Sequence, residues 1–229
     1  MSKSQLRIVN DIVNFKKDKP NNIFININKQ DIYNIKAMIV GPINTPYFGG
    51  FYFFDLIFPK DYPNNPPKVT FLTTDGKVRF NPNLYGCGKV CLSILGTWAG
   101  PGWTPVMNLT SILLSIESLL CENPIINEPG YQNIKPSDNK SVTYNNYILY
   151  FNYKIAISNI LNNKYDFSNK FKKDILEIYK HNYQKLNDNL LSYKLLYDKY
   201  PILNDNKIYF INSNLKFIDF NILNLKKID

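Results

Sequence analysis

The chain has 229 residues, 45% of them hydrophobic and 20% charged, a balance that excludes wholesale disorder and collagen-like repetition. Its formal charge of +9 is carried by lysines spread along the chain, with Arg7 and Arg79 the only arginines, which argues against a nucleic-acid groove. Three cysteines (Cys87, Cys91, Cys121) and one histidine (His181) match no metal-ligand spacing, and an odd cysteine count in a chain of this size speaks against a disulfide framework.

Charges run through the first 15 residues, so no signal peptide is expected there. No span approaches the roughly 20 apolar residues of a membrane helix, and the expectation is a soluble protein of the cytoplasm or nucleus. Leu6, Val9 and Val13 form a helical stripe with Ile8 and Ile12 beside it, ending near Lys19 and Pro20. Residues 23–28, 33–40 and 51–58 then read as strands. Tyr33, Ile35, Ala37 and Ile39 alternate with polar residues, and the third run is apolar on both faces except at Asp55. That suits the centre of a sheet covered on one side by helices.

Four prolines within residues 58–67 forbid helix and central strand alike, giving a rigid loop before a fourth strand at 69–72. Residues 80–102 have no period and abound in Asn, Gly and Pro, a loop too long for a compact domain unless the loop itself works. Thr104 and Pro105 read as N-cap and first position of a helix carrying Val106, Leu109, Leu113, Ile116 and Leu120. Residues 122–131 are a structured loop. Tyr147, Ile148, Phe151 and Ile155 mark one further helix; Leu186, Leu190, Tyr193 and Tyr197 mark another. A terminal hairpin is expected from residues 208–210 and 217–220 around 212–214.

The working loop contains Cys91. Free cysteines are usually buried small hydrophobes, and Cys121, at the end of an apolar helix, is read that way. Around Cys91 the Gly and Asn residues argue for irregular backbone and a reachable sulfur, which a nucleophile needs. His181 lies far along the chain in a lysine-rich helix, so a Cys–His hydrolase is a poor fit. A thiol without a base can still carry acyl groups as thioesters.

Several elements agree on that chemistry in order: Phe58-Pro59, Tyr62-Pro63 and Pro66-Pro67; Asn81-Pro82-Asn83 eight residues before Cys91; Cys91-Leu92-Ser93-Ile94-Leu95; and Trp103-Thr104-Pro105. Over roughly its first 165 residues the chain resembles the ubiquitin-conjugating enzymes, the E2 class. It is most similar to the large atypical members, whose loops read like residues 92–98 with a Gly/Pro insert at 99–102, and like residues 122–130.

The resemblance implies an α+β UBC fold: an N-terminal helix, a four-stranded antiparallel meander and C-terminal helices, in a core domain of residues 1–165, with 166–229 as a helical extension. It implies that Cys91 accepts ubiquitin from an E1 as a thioester and that a substrate lysine then attacks, usually with an E3 ligase, with no metal or cofactor on this chain, since ATP is used by the E1. A non-catalytic E2-like scaffold, or an E2 for a ubiquitin-like modifier, are the alternatives. Asn81, where most of the class has histidine, is a structural position, and Cys87 is a turn residue, with redox or second-acceptor roles as alternatives. Asn83 either donates to the oxyanion of lysine attack or braces the loop. Glu128 orients the amine and accepts its proton. Asn64, Thr104, Pro105 and Val106 form the ligase platform, with Asn64 polar where many relatives place an apolar anchor. The extension is expected to pack on the core rather than serve as a partner's arm.

Overall fold

Ser2 opens the first helix, α1 (Lys3–Asp18), by a reciprocal capping box with Gln5. Lys19, in the left-handed conformation, closes it before Pro20. In the computed structural model, which describes residues 1–196, 200–201, 217–219 and 223–228, the buried face of α1 is Ser4, Ile8, Asp11, Ile12 and Phe15. Leu6 and Val13 are exposed, so the stripe expected from Leu6, Val9 and Val13 faces the wrong way. Asp11 is the reason. Its carboxylate interrupts the apolar period of the true inner face, yet is satisfied there by Arg7 Nε (2.8 Å), the Leu109 N–H (3.3 Å) and the Tyr62 hydroxyl.

Strands β1 (Ile23–Ile27), β2 (Asn34–Val40), β3 (Phe51–Ile57) and β4 (Lys68–Phe71) form one antiparallel sheet in sequence order, the expected meander. Register pairs Met38 with Phe53 and Lys36 with Asp55. Lys36 Nζ reaches Asp55 Oδ1 at 2.9 Å, which accounts for the lone acid in an apolar strand. Alternation puts Tyr52 and Phe54 on one face, against Phe71 and Phe80. Phe53, on the other face, packs at 5.0 Å from Phe167 and 5.5 Å from Phe171. The centre of the sheet is therefore covered on both faces, not one.

The next helix, α2 (Leu109–Glu117), begins later than Thr104 and Pro105 suggested. Asn108 caps it by accepting from the Ser111 N–H, and the Ser111 side chain accepts from the Asn108 N–H. That reciprocal box outcompetes the upstream Thr-Pro signal, whose residues form a turn instead. Val106 is 88% exposed and belongs to no helix. Helix α3 (Asn139–Phe151) continues as a π-helical stretch, Asn152–Asn159, and α4 (Lys172–Leu196) follows. Phe171, Ile175, Tyr179, Leu186 and Leu190 are buried in the same hydrophobic cluster as the sheet. Gly49, at φ +70°, leaves room for Leu186, whose Cδ2 would lie 2.8 Å from an added Cβ. Tyr179 donates to the Lys226 carbonyl at 2.8 Å, fastening the terminal residues to α4.

Phe217–Ile218 (β6) pairs with Tyr200–Pro201 (β5). Residues 208–210 of the expected hairpin, and Tyr197 of the expected helix, lie outside the described residues. No helix among the described residues is long and apolar enough to cross a membrane.

Candidate active site

The loop of residues 80–102 is built on Asn81, which is fully buried. Its Nδ2 donates to the Leu119 carbonyl (2.7 Å) and the Tyr47 hydroxyl (3.2 Å), and its Oδ1 accepts from the Asn83 N–H (2.9 Å). The first ties the Asn-Pro-Asn turn to the residues after α2, the second to Tyr47 and the third closes the turn, and together they need an amide, with both donor and acceptor. Cys91 returns to the same turn. Its N–H donates to the Asn83 carbonyl at 2.9 Å, and Asn83 Nδ2 donates to the Cys91 carbonyl at 2.6 Å. Between them the chain reverses at Gly88 (φ +90°), where a Cβ would approach the Phe71 carbonyl oxygen to 2.9 Å. Cys87 sits exposed on this reversal.

The Cys91 side chain is not the open sulfur its Gly- and Asn-rich surroundings suggested: the residue is 1% exposed. Tyr85 is its neighbour, and the thiol acts on the phenol electrostatically. Burial, then Cys91 and Glu128, push the Tyr85 phenol upward against the opposing pull of Arg79. The Arg79 guanidinium lies 3.9 Å from the Tyr85 ring centroid. It also donates twice to the Pro82 carbonyl, from Nε at 3.1 Å and from Nη2, and reaches Glu128 Oε2 at 3.3 Å. Glu128 is 5% exposed, and burial raises its carboxyl above the usual range while Arg79 draws it down.

Cys91, Asn83 and Glu128, named from the sequence, thus meet around one loop. Tyr85 and Arg79, which complete the cluster, were not among the candidates; the available signal was a scarce arginine two residues before Asn81. His181 lines a different groove, with Asn22, Phe24 and Asp174, so no Cys–His pair forms. Among the described residues no three His, Cys, Asp or Glu side chains converge as a metal site.

Asn64, Thr104, Pro105 and Val106 are all exposed and are drawn to one region by two ties. Trp103 Nε1 donates to the Pro63 carbonyl at 2.7 Å, and Arg7 donates to the carbonyls of Pro105 (2.8 Å) and Met107 (2.6 Å).

The family model "Ubiquitin-conjugating enzyme" matches residues 7–149, a span that contains every residue of the cluster. Ubiquitin-conjugating enzyme E2 Z of Xenopus tropicalis is 46% identical over 160 residues, covering 69% of this chain and 51% of that protein. The Homo sapiens E2 Z is 45% identical over 161 residues, covering 69% and 45%. The chain therefore spans about half the length of these relatives. Among solved structures, the E2 domain of a Toxoplasma gondii ubiquitin conjugating enzyme superposes with a TM-score of 0.53 at 28% identity, over 67% of this chain and 99% of that one. The family model covers more than half of this chain, which therefore belongs to the ubiquitin-conjugating enzyme family.

Proposed function

We propose that this chain accepts ubiquitin from an E1 as a thioester on Cys91 and transfers it to a lysine amine, with an E3 ligase guiding the transfer. The observation that carries the reading is the placement of Cys91, pinned by Asn83 to the Asn-Pro-Asn turn, against which the Arg79–Glu128 pair also sits. In loading, the Cys91 thiolate attacks the E1 thioester carbonyl and the E1 thiolate leaves. In transfer, the amine attacks the new thioester, the C–N bond forms, the C–S bond breaks and the electron pair leaves on Cys91. The amine must shed a proton, and Glu128 takes it. The bond from Asn83 Nδ2 to the Cys91 carbonyl supports the bracing role for Asn83. Residues 1–165 serve as the conjugating core and residues 166–229 as its extension, in which Phe167 and Phe171 cover Phe53 of the sheet. The exposed Asn64 and residues 104–106 serve as the ligase platform. Such a reaction belongs to the cytoplasm or nucleus and draws its ATP through the E1.

A charging reaction with E1, ATP and ubiquitin tests this. A reductant-sensitive adduct should form, Cys91→Ser should give a reductant-stable oxyester, and Cys91→Ala should give none. Charging that survives Cys91→Ala would refute the assignment. A wild-type chain that accepts nothing would favour a binding scaffold, and one that accepts only a ubiquitin-like protein from its own E1 would change the modifier.

A further inference from the structure

We infer that Arg79 is a positioning residue for Glu128, holding that carboxylate ionised and against the Asn-Pro-Asn turn so that it can take the proton of the attacking amine. The inference rests on the transfer reaction proposed above. Arg79 is one of two arginines in the chain, and its guanidinium is committed in three directions at once. It stacks on the Tyr85 ring at 3.9 Å, grips the Pro82 carbonyl through two nitrogens and meets Glu128 Oε2 at 3.3 Å. Both partners of the ion pair are largely withdrawn from water, with side-chain exposures of 11% and 7%. One cation thereby ties together the Asn-Pro-Asn turn, the Tyr85 ring and the carboxylate.

Several charged or titratable groups act on Glu128 from the packed elements. They include Arg79 from the strand-to-turn connection, Tyr85 from the loop and Tyr144 from α3. Only Arg79 among these carries a positive charge, and it is the only one that favours the ionised carboxyl, against the burial that disfavours it. A protonated Glu128 has an occupied oxygen and cannot accept a second proton. In the transfer step the amine forms its bond to the thioester carbon, the sulfur leaves with the electron pair, the amine proton moves to Glu128 and then to water, and Arg79 stays protonated throughout.

The test is single-turnover discharge of the ubiquitin-charged full chain onto free lysine, measured from about pH 6 to about pH 9, where a carboxyl raised by burial and stripped of its cation would titrate. Ionisation of the free lysine is common to all variants and cancels in rate ratios. Arg79→Gln keeps a donor for the Pro82 carbonyl and removes the charge; Arg79→Lys keeps a charge and loses the fork. The ratio of wild type to Arg79→Gln should stay near one at the alkaline end and rise to about tenfold at the acid end, the size of a modest general-base contribution. Arg79→Lys should follow wild type more closely. In a Glu128→Gln background, Arg79→Gln should have no pH-dependent effect.

A ratio independent of pH would reduce Arg79 to a loop brace, and a pH-dependent effect that persists without Glu128 would assign the titration elsewhere; either overturns the inference. Should Arg79→Gln fail to fold, the ratio of wild type to Glu128→Gln still decides. It must stay above one down to the acid end, because wild-type Arg79 holds Glu128 ionised there, and a ratio that falls to one sinks the proposal. A wild-type chain that never charges would instead remove the transfer reaction on which the inference rests.

Discussion

Asn83 and Cys91 hold each other twice: the Cys91 N–H donates to the Asn83 carbonyl at 2.9 Å, and Asn83 Nδ2 donates to the Cys91 carbonyl at 2.6 Å. Asn83 is 8% exposed, so its removal leaves a buried carbonyl without that donor. Asn83→Ala should therefore cost about 1 to 3 kcal/mol of stability and slow both charging and discharge. Urea unfolding beside single-turnover kinetics separates the alternatives. Discharge lost at unchanged stability would favour an oxyanion donor instead.

A second prediction follows from the burial of Cys91 beside Tyr85 and the exposure of Cys87 on the same reversal. In the uncharged chain, iodoacetamide should modify Cys87 ahead of Cys91, because access as well as thiolate content sets alkylation rates. Tyr85→Ala should raise the Cys91 rate several-fold and leave the Cys87 rate alone. Peptide mapping reads both sites at once. An unchanged Cys91 rate would mean that Tyr85 is not what shields it.

Asp11 links three elements through one carboxylate, accepting from Arg7 in α1, Tyr62 in the proline-rich loop and Leu109 at the start of α2. Burial and then the Asp11 acceptor push the Tyr62 phenol far above its ordinary range, so it remains a donor at every working pH. Asp11→Ala should cost about 2 to 4 kcal/mol, since hydrogen bonds to charged groups are the strong ones and the donors left behind are buried. It should also loosen residues 104–107, because the Arg7 side chain that pairs with Asp11 grips the carbonyls of Pro105 and Met107. Hydrogen exchange across α2 would show this; a destabilised protein with an unaltered exchange rate at Leu109 would not fit.

The same residues show what the sequence makes legible. Strands β1 to β4 announce themselves by alternation and by the Gly and Pro breaks between them, because side-chain period and backbone punctuation are local properties. The thiol and its Asn-Pro-Asn partner are eight residues apart and can be read as a unit. Asp11 hides the inner face of α1 because its satisfaction comes from residues 51 and 98 positions away. Thr104-Pro105 imitates a helix start, and only the competing Asn108–Ser111 box shows why it fails. Arg79 and Tyr85 gain their meaning from Glu128, 49 positions after Arg79, a juxtaposition no local pattern contains.

The last prediction concerns residues 166–196. Phe167 and Phe171 lie on Phe53, Leu186 fills the space beside Gly49, and Tyr153 donates to the Leu186 carbonyl at 2.9 Å. Removing this segment would return Phe53, now 1% exposed, to water along with its apolar neighbours on that face of the sheet, at about 25 cal/mol per Å² of apolar surface uncovered. A chain ending near Asn163 should consequently be less stable and less soluble than the full chain, with an adhesive face. Leu186→Ala, which keeps the whole segment, should cost about 2 to 5 kcal/mol, as large-to-small changes in packed cores do. Limited proteolysis compares the two ideas for this segment directly. Packing predicts that residues 162–170 resist early cleavage in the wild-type chain and become cleavable in Leu186→Ala. Early release of a stable, chargeable core from the wild-type chain would instead make the segment a detachable arm for a partner.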